Sequence, residues 1–181
     1  MSIEDLKPTP EASNSGLEKW IDKQIKKTKD KVLKGIPVAR ITLSYSCEIA
    51  PSDRLKVNDS KDSVKIFRQL WNPDTLELQE HFGVLLLNNS NRAMGFYPLS
   101  SGGMTSTIID VRLILIAALN ASAVGIIACH NHPSGIIYPS VSDRELTEKI
   151  RKAAELLDLQ FLDHIILTKE NYFSFADNGE L

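Results

Sequence analysis

The 181-residue sequence is short of the features that would place it in several common protein classes. Its two cysteines, Cys47 and Cys129, are too few for a disulfide framework and lack the CxxC spacing of a zinc ribbon or redox pair. A reducing, cytoplasmic setting is therefore expected. Long apolar runs are missing as well. The longest, Val111 to Ile127, is broken by Arg112 and Asn120, and nothing near the start joins basic residues to an apolar stretch. Neither a membrane span, nor a secretory signal, nor a membrane partner is expected. Charge of one sign is also lacking: the formal net charge is -2, so electrostatics alone do not nominate nucleic acid. What is present is a hydrophobic fraction of 43% beside 24% charged residues, which excludes a disordered or collagen-like chain and is enough for one ordinary core.

Charge is unevenly distributed. Residues 16–34 hold seven lysines against Glu18, Asp22 and Asp30, a local excess of +4, whereas residues 35–181 sum to -4. Weak DNA affinity confined to the lysine-rich segment is the most this balance supports. Residues 1–15, with two prolines and little apolar content, read as a flexible leader. From Leu17 the apolar residues Trp20, Ile21, Ile25, Val32 and Leu33 recur at helical steps, predicting an amphipathic helix ended by Gly35 and Pro37. Val38 to Cys47 reads as a strand and Asp62 to Leu70 as a helix. Glu80 to Leu87 and Ala93 to Leu99 read as a hairpin around Asn88-Asn89-Ser90-Asn91, with a loop beginning at Ser100. Ile109 to Asn120 reads as a buried helix and Ala123 to Cys129 as a buried strand. Residues 140–157 read as an amphipathic helix with Leu146, Ile150, Ala153 and Leu157 in register, and Leu159–Thr168 and Tyr172–Phe175 as closing strands. Alternating strands and helices predict an α/β fold, a mixed sheet flanked by helices, with the amphipathic helix as an N-terminal addition.

The chemistry-bearing segment is Cys129-His130-Asn131-His132-Pro133-Ser134-Gly135, followed by Tyr138-Pro139-Ser140-Val141-Ser142-Asp143. Histidines at i and i+2 at a strand end project to one side of the sheet and can share an ion. Asp143, three residues after Ser140, lies in the first turn of the next helix, where a carboxylate can face back toward them. Two imidazoles and a carboxylate leave one position open, as in a catalytic rather than a structural zinc site. Each part alone has a plainer reading. An isolated HxH is usually packing or surface, and Ser140-x-x-Asp143 has the form of a helix cap, as does Ser142 with Glu145. Together, a buried strand leading into two same-side histidines, a Pro-Ser-Gly loop and a correctly spaced aspartate favour a metal site. The letters H-N-H are not those of an HNH nuclease, which spreads its residues over a ββα unit.

The pattern His130-x-His132, seven residues, Ser140-x-x-Asp143 resembles the metalloprotease motif of JAMM/MPN domains. HNHPSG with the following PS-x-x-D is similar to the RadC family of bacterial JAB-domain proteins, with similarity from about Asp74 to Leu181, including LELQEHF, Ser101-Gly102-Gly103 and Leu162-Asp163-His164-Ile165-Ile166. The resemblance implies a cytidine-deaminase-like fold. It further implies Zn2+ held by His130, His132 and Asp143, oxyanion stabilisation by Ser140, loop support by Ser134 and Gly135, and an upstream glutamate as general acid/base. Glu80 is the choice because it opens an apolar strand; Glu77 and Glu48 rank behind it. His81 and Cys129 are read as facing away from the site, and His164 as a buried, hydrogen-bonded histidine. The implied organisation is a leader and lysine-rich helix over 1–37, a strand and helix extension over 38–73, and the JAB/MPN domain over 74–181. The expected activity is zinc-dependent hydrolysis of a peptide or isopeptide amide in a protein or peptide substrate. Two alternatives stand beside it: a DNA-repair-associated accessory protein, and a catalytically silent MPN interaction module. Longer RadC-like proteins add a helix-hairpin-helix region that residues 1–73 do not display.

Overall fold

A computed structural model describes residues 44–101 and 109–181, together with Lys19 and Lys23. The chain separates into two units, Met1–Thr42 and Leu43–Leu181. The leader, the lysine-rich helix, most of the strand read at Val38–Cys47, and Gly102-Gly103 lie outside the described residues. The described end of that strand, residues 44–47, is irregular chain. The β-branched residues stop at Thr42, and among the described residues no ladder partner meets 44–47; Tyr45 instead donates its hydroxyl to the Met94 carbonyl at 2.7 Å.

Helix α1 spans Ser60–Leu70, capped by the Asp59 side chain accepting from the Asp62 N–H. A short 3-10 turn at Pro73–Thr75 follows, then strands β1 (His81–Leu87) and β2 (Ala93–Ser101), helix α2 (Val111–Asn120), β3 (Gly125–Asn131), α3 (Val141–Glu155), β4 (Gln160–Leu167) and β5 (Tyr172–Ser174). The sheet order is β2-β1-β3-β4-β5. Only β3 and β4 run parallel, and α3 supplies the crossover that a parallel pair requires. Among the described residues no helix is long and apolar enough to cross a membrane.

Helices cover both faces of the sheet, which is why β1 and β3 read as nearly continuous apolar runs. The period of two sorts their side chains. Phe82, Val84, Leu86, Ile126 and Ala128 pack with Val111, Ile114 and Ala118 of α2 and Ile150 and Ala154 of α3. Leu85, Leu87, Ile127 and Cys129 pack with Val64 and Phe67 of α1 and with Trp71 just after it. His130, paired in register with Phe82, therefore belongs to the α2/α3 face, and Cys129 is a buried free thiol on the other.

Element ends differ from the sequence reading in instructive ways. β2 continues through Ser100 and Ser101, because β1 offers His81 and Phe82 as ladder partners. Glu80 stands one residue ahead of β1. α3 stops at Glu155, and Leu157, expected in register with the core, is exposed, because Asp158 turns the chain in a left-handed conformation (φ 55°).

The far end of the sheet carries a buried carboxylate. Asp163 accepts from the Ser174 hydroxyl at 2.6 Å and from the Ala176 N–H at 3.0 Å, tying β4 to the chain after β5. Burial pushes its pKa up, against those hydrogen bonds. With the folded-state pKa above the unfolded value of about 3.9, the unfolded chain ionises first. Ionisation then costs stability as pH rises through the folded-state pKa. Asp163→Asn removes that cost. Urea unfolding should show the variant gaining stability relative to the parent as pH rises above about 4. A difference flat with pH would count against a raised Asp163 pKa.

Candidate metal centre

The strand and the helix that follows it bring three predicted ligands to one point. Nε2 of His130 lies 2.9 Å from Nε2 of His132 and 3.1 Å from Oδ1 of Asp143; His132 Nε2 is 3.5 Å from Asp143 Oδ2. Among the described residues these three form the group able to hold a metal ion. Ligand atoms about 2.0–2.1 Å from a tetrahedral zinc ion sit roughly 3.3–3.4 Å from one another. The donor set and its spacing therefore fit such an ion after shifts of a few tenths of an ångström.

Each ligand is held by its own local device. Ser140 is the N-cap of α3, and Asp143 is the third helical residue of a capping box. The Asp143 Oδ2 accepts from the Ser140 N–H at 2.7 Å and from the Ser140 hydroxyl at 2.6 Å, leaving Oδ1 directed at His130. Burial opposes ionisation of Asp143, but the imidazoles of His130 and His132, together with the Ser140 hydroxyl, hold its carboxyl far below the usual carboxylate range. Ser140 thus spends its hydroxyl proton on a ligand. His132 donates from Nδ1 to the Ile136 carbonyl at 2.7 Å. That carbonyl reaches it because the loop turns tightly: Gly135 donates its N–H to the His132 carbonyl and adopts φ 77°, a conformation that favours glycine. Ser134 Oγ accepts from the Ile136 N–H at 3.4 Å, bracing the loop rather than a ligand side chain.

Glu80 lines the same cavity as His130, His132, Ser140 and Asp143, an opening of about 660 Å³ with Phe82, Ile109, Ile136 and Tyr138 among its walls. Its charge is felt at His132: burial lowers that pKa, but Asp143, the Ile136 carbonyl and Glu80 together raise it. Glu77 points elsewhere, paired with Lys169 at 2.7 Å, and Glu48 is exposed on the irregular segment. His81 faces the α1 side, its Nε2 2.9 Å from the Thr75 hydroxyl and its ring 6.0 Å from that of Trp71.

Two residues that matter here escaped the sequence reading. Asn131, fully buried between the two histidines in sequence but on the opposite face, donates to the carbonyls of Leu76 (2.7 Å) and Gln79 (2.9 Å) and accepts from the His81 N–H (2.6 Å). It pins the backbone on both sides of Glu80, so the strand that carries two ligands also places the glutamate. Thr147 contacts His164, which is buried and hydrogen-bonded, not part of the ligand group. Its position four residues after Asp143, on the same helical face, was the available signal.

Known proteins are similar to this chain in sequence. A UPF0758 protein of Flavobacterium johnsoniae is 46% identical over 125 residues, covering 68% of this chain and 53% of that protein. Another from Porphyromonas gingivalis is 38% identical over 150 residues, covering 80% and 66%. A third, from Chlorobaculum tepidum, is 33% identical over 174 residues, covering 93% and 77%. The chain thus spans between about half and three quarters of the length of these relatives. Residues 57–180 match the family described as RadC-like JAB domain, a stretch that takes in α1, all five strands and the three metal-site residues, and the chain belongs to that family.

Proposed function

We propose that this chain is a zinc-dependent metallohydrolase that cleaves a peptide or isopeptide amide. The observation that carries the reading is the meeting of Glu80 with His130, His132 and Asp143 in one cavity: a carboxylate with no salt bridge among the described residues, beside a three-ligand group with room for a further ligand. His130, His132 and Asp143 would hold the zinc ion, which would supply Lewis acidity to the attacking water. Glu80 accepts the proton of the attacking water at its carboxylate and returns it to the leaving nitrogen. Ser140 holds Asp143 in place, and becomes an oxyanion donor when its hydroxyl turns from Asp143 Oδ2 toward the substrate. The apolar walls offered by Phe82, Ile109 and Ile136 suit side chains flanking the scissile amide.

The test is metal analysis joined to turnover. Purified protein should carry about one zinc per chain, release it to a chelator, and hydrolyse amide substrates only when zinc is restored. Protein that binds no stoichiometric zinc, or whose amide hydrolysis is indifferent to chelator, would sink the reading.

A further inference from the structure

A proton count along one buried chain of hydrogen bonds gives roles to two residues outside the ligand group. Thr147 Oγ lies 2.6 Å from the Asp143 carbonyl, which can only accept, so the single hydroxyl proton is spent there. The same oxygen is 2.6 Å from Nδ1 of His164, and that contact must be donated by the imidazole. His164 is fully buried and stacked on Phe175 with ring centroids 5.0 Å apart, and among the described residues its two nitrogens meet only the Thr147 hydroxyl and the His130 ring, with no carboxylate to hold a second proton. Its one proton is therefore on Nδ1, and Nε2 carries a bare lone pair. That lone pair faces Nδ1 of His130 at 2.9 Å, so His130 donates there, and Nε2 is the nitrogen left for a metal ion. This is the atom that lies among His132 Nε2 and Asp143 Oδ1. The Nδ1 proton of His132 is fixed by a shorter route, on the Ile136 carbonyl.

We propose that Thr147 and His164 are positioning residues that hold a proton on Nδ1 of His130, so that Nε2 is the nitrogen a divalent ion takes. The inference rests on the metal-centre reading. It assigns to α3 two contributions to the site: the carboxylate of Asp143 and, one turn later, the hydroxyl that orders the protons of the imidazole opposite. Phe82, stacked over His130 with centroids 6.2 Å apart, fixes the plane of the ring that the chain orders.

Thr147→Val keeps the shape and removes the hydroxyl. His164 then has no acceptor at Nδ1, its proton moves to Nε2 to face His130, and His130 gives up its Nδ1 proton and keeps one on Nε2, in the metal position. Zinc affinity, read by competition with a chromophoric chelator, should fall about 10–100-fold in Thr147→Val. It should return close to the parent's in Thr147→Ser, which restores the hydroxyl. Independently, imidazole nitrogen NMR of the unaltered, zinc-free chain should show His130 and His164 both protonated at Nδ1. This readout decides the question even if Thr147→Val fails to fold. Parent-like zinc affinity in a folded Thr147→Val, or a bare Nδ1 at His130 in the parent, would overturn the relay while leaving the metal centre standing. Absence of zinc binding by the parent would bring down the metal reading and the relay with it.

Discussion

Asp143→Ala is expected to yield a folded protein that no longer retains zinc. Removing a ligand should exceed the loss of about 10–100-fold in affinity typical of changes to residues behind the ligands. Two imidazoles alone make a weak site. The substitution also deprives the Ser140 N–H and hydroxyl of their acceptor, a loss of capping worth about 1 kcal/mol at the start of α3. Against a domain stability of roughly 5–15 kcal/mol, that leaves the fold intact. His132→Ala separates the two effects, because it removes a ligand while leaving the capping box of α3 untouched. Both variants should lose zinc, and only Asp143→Ala should lower stability in the zinc-free state through the cap. Zinc content measured beside circular dichroism and denaturant unfolding checks both points. Full zinc occupancy in Asp143→Ala would remove Asp143 from the ligand set.

How much of this was legible in the sequence follows from the range of the interactions. The His130-x-His132 pair is a local, period-two feature of a strand end, and Ser140-x-x-Asp143 a local feature of a helix start, so both could be read from spacing. Their convergence was legible only through the motif that joins them. The order of the elements was also readable, because each has a hydrophobic period of its own. The supporting residues belong to another range. His164 meets His130 across the parallel pairing of β3 with β4, whose register depends on the crossover through α3 and leaves no local trace. Asn131 acts on residues 76–81 across the antiparallel pairing of β3 with β1, and nothing in the tripeptide His-Asn-His tells which carbonyls it will find. The misread ends have the same origin. Ser100 and Ser101 look like loop residues but are held in β2 by partners on β1, and Leu157 has the right period but falls beyond the point where Asp158 turns the chain.

Glu80→Gln should keep the fold and the zinc and lose nearly all hydrolytic activity. Glutamine matches the size and hydrogen-bonding reach of glutamate but cannot accept a proton, so the loss isolates the base from the ligands. Removing a general base costs about 100- to 10,000-fold in rate. Placement should survive the change, because the backbone around position 80 is pinned from outside by Asn131, through the Gln79 carbonyl and the His81 N–H, and not by the Glu80 side chain. Stability should move by only about 0.5 kcal/mol, as for a partly exposed polar side chain outside the core. Turnover, zinc content and unfolding midpoint measured on the same preparation decide between three assignments. Lost activity with zinc retained makes Glu80 the base. Normal turnover passes the role to Glu77 or Glu48, although the first is engaged by Lys169 and the second lies on an exposed segment apart from the cavity lining. Zinc lost together with activity would make Glu80 a ligand or a ligand's support, and the division between a three-residue metal group and a separate base would have to be redrawn.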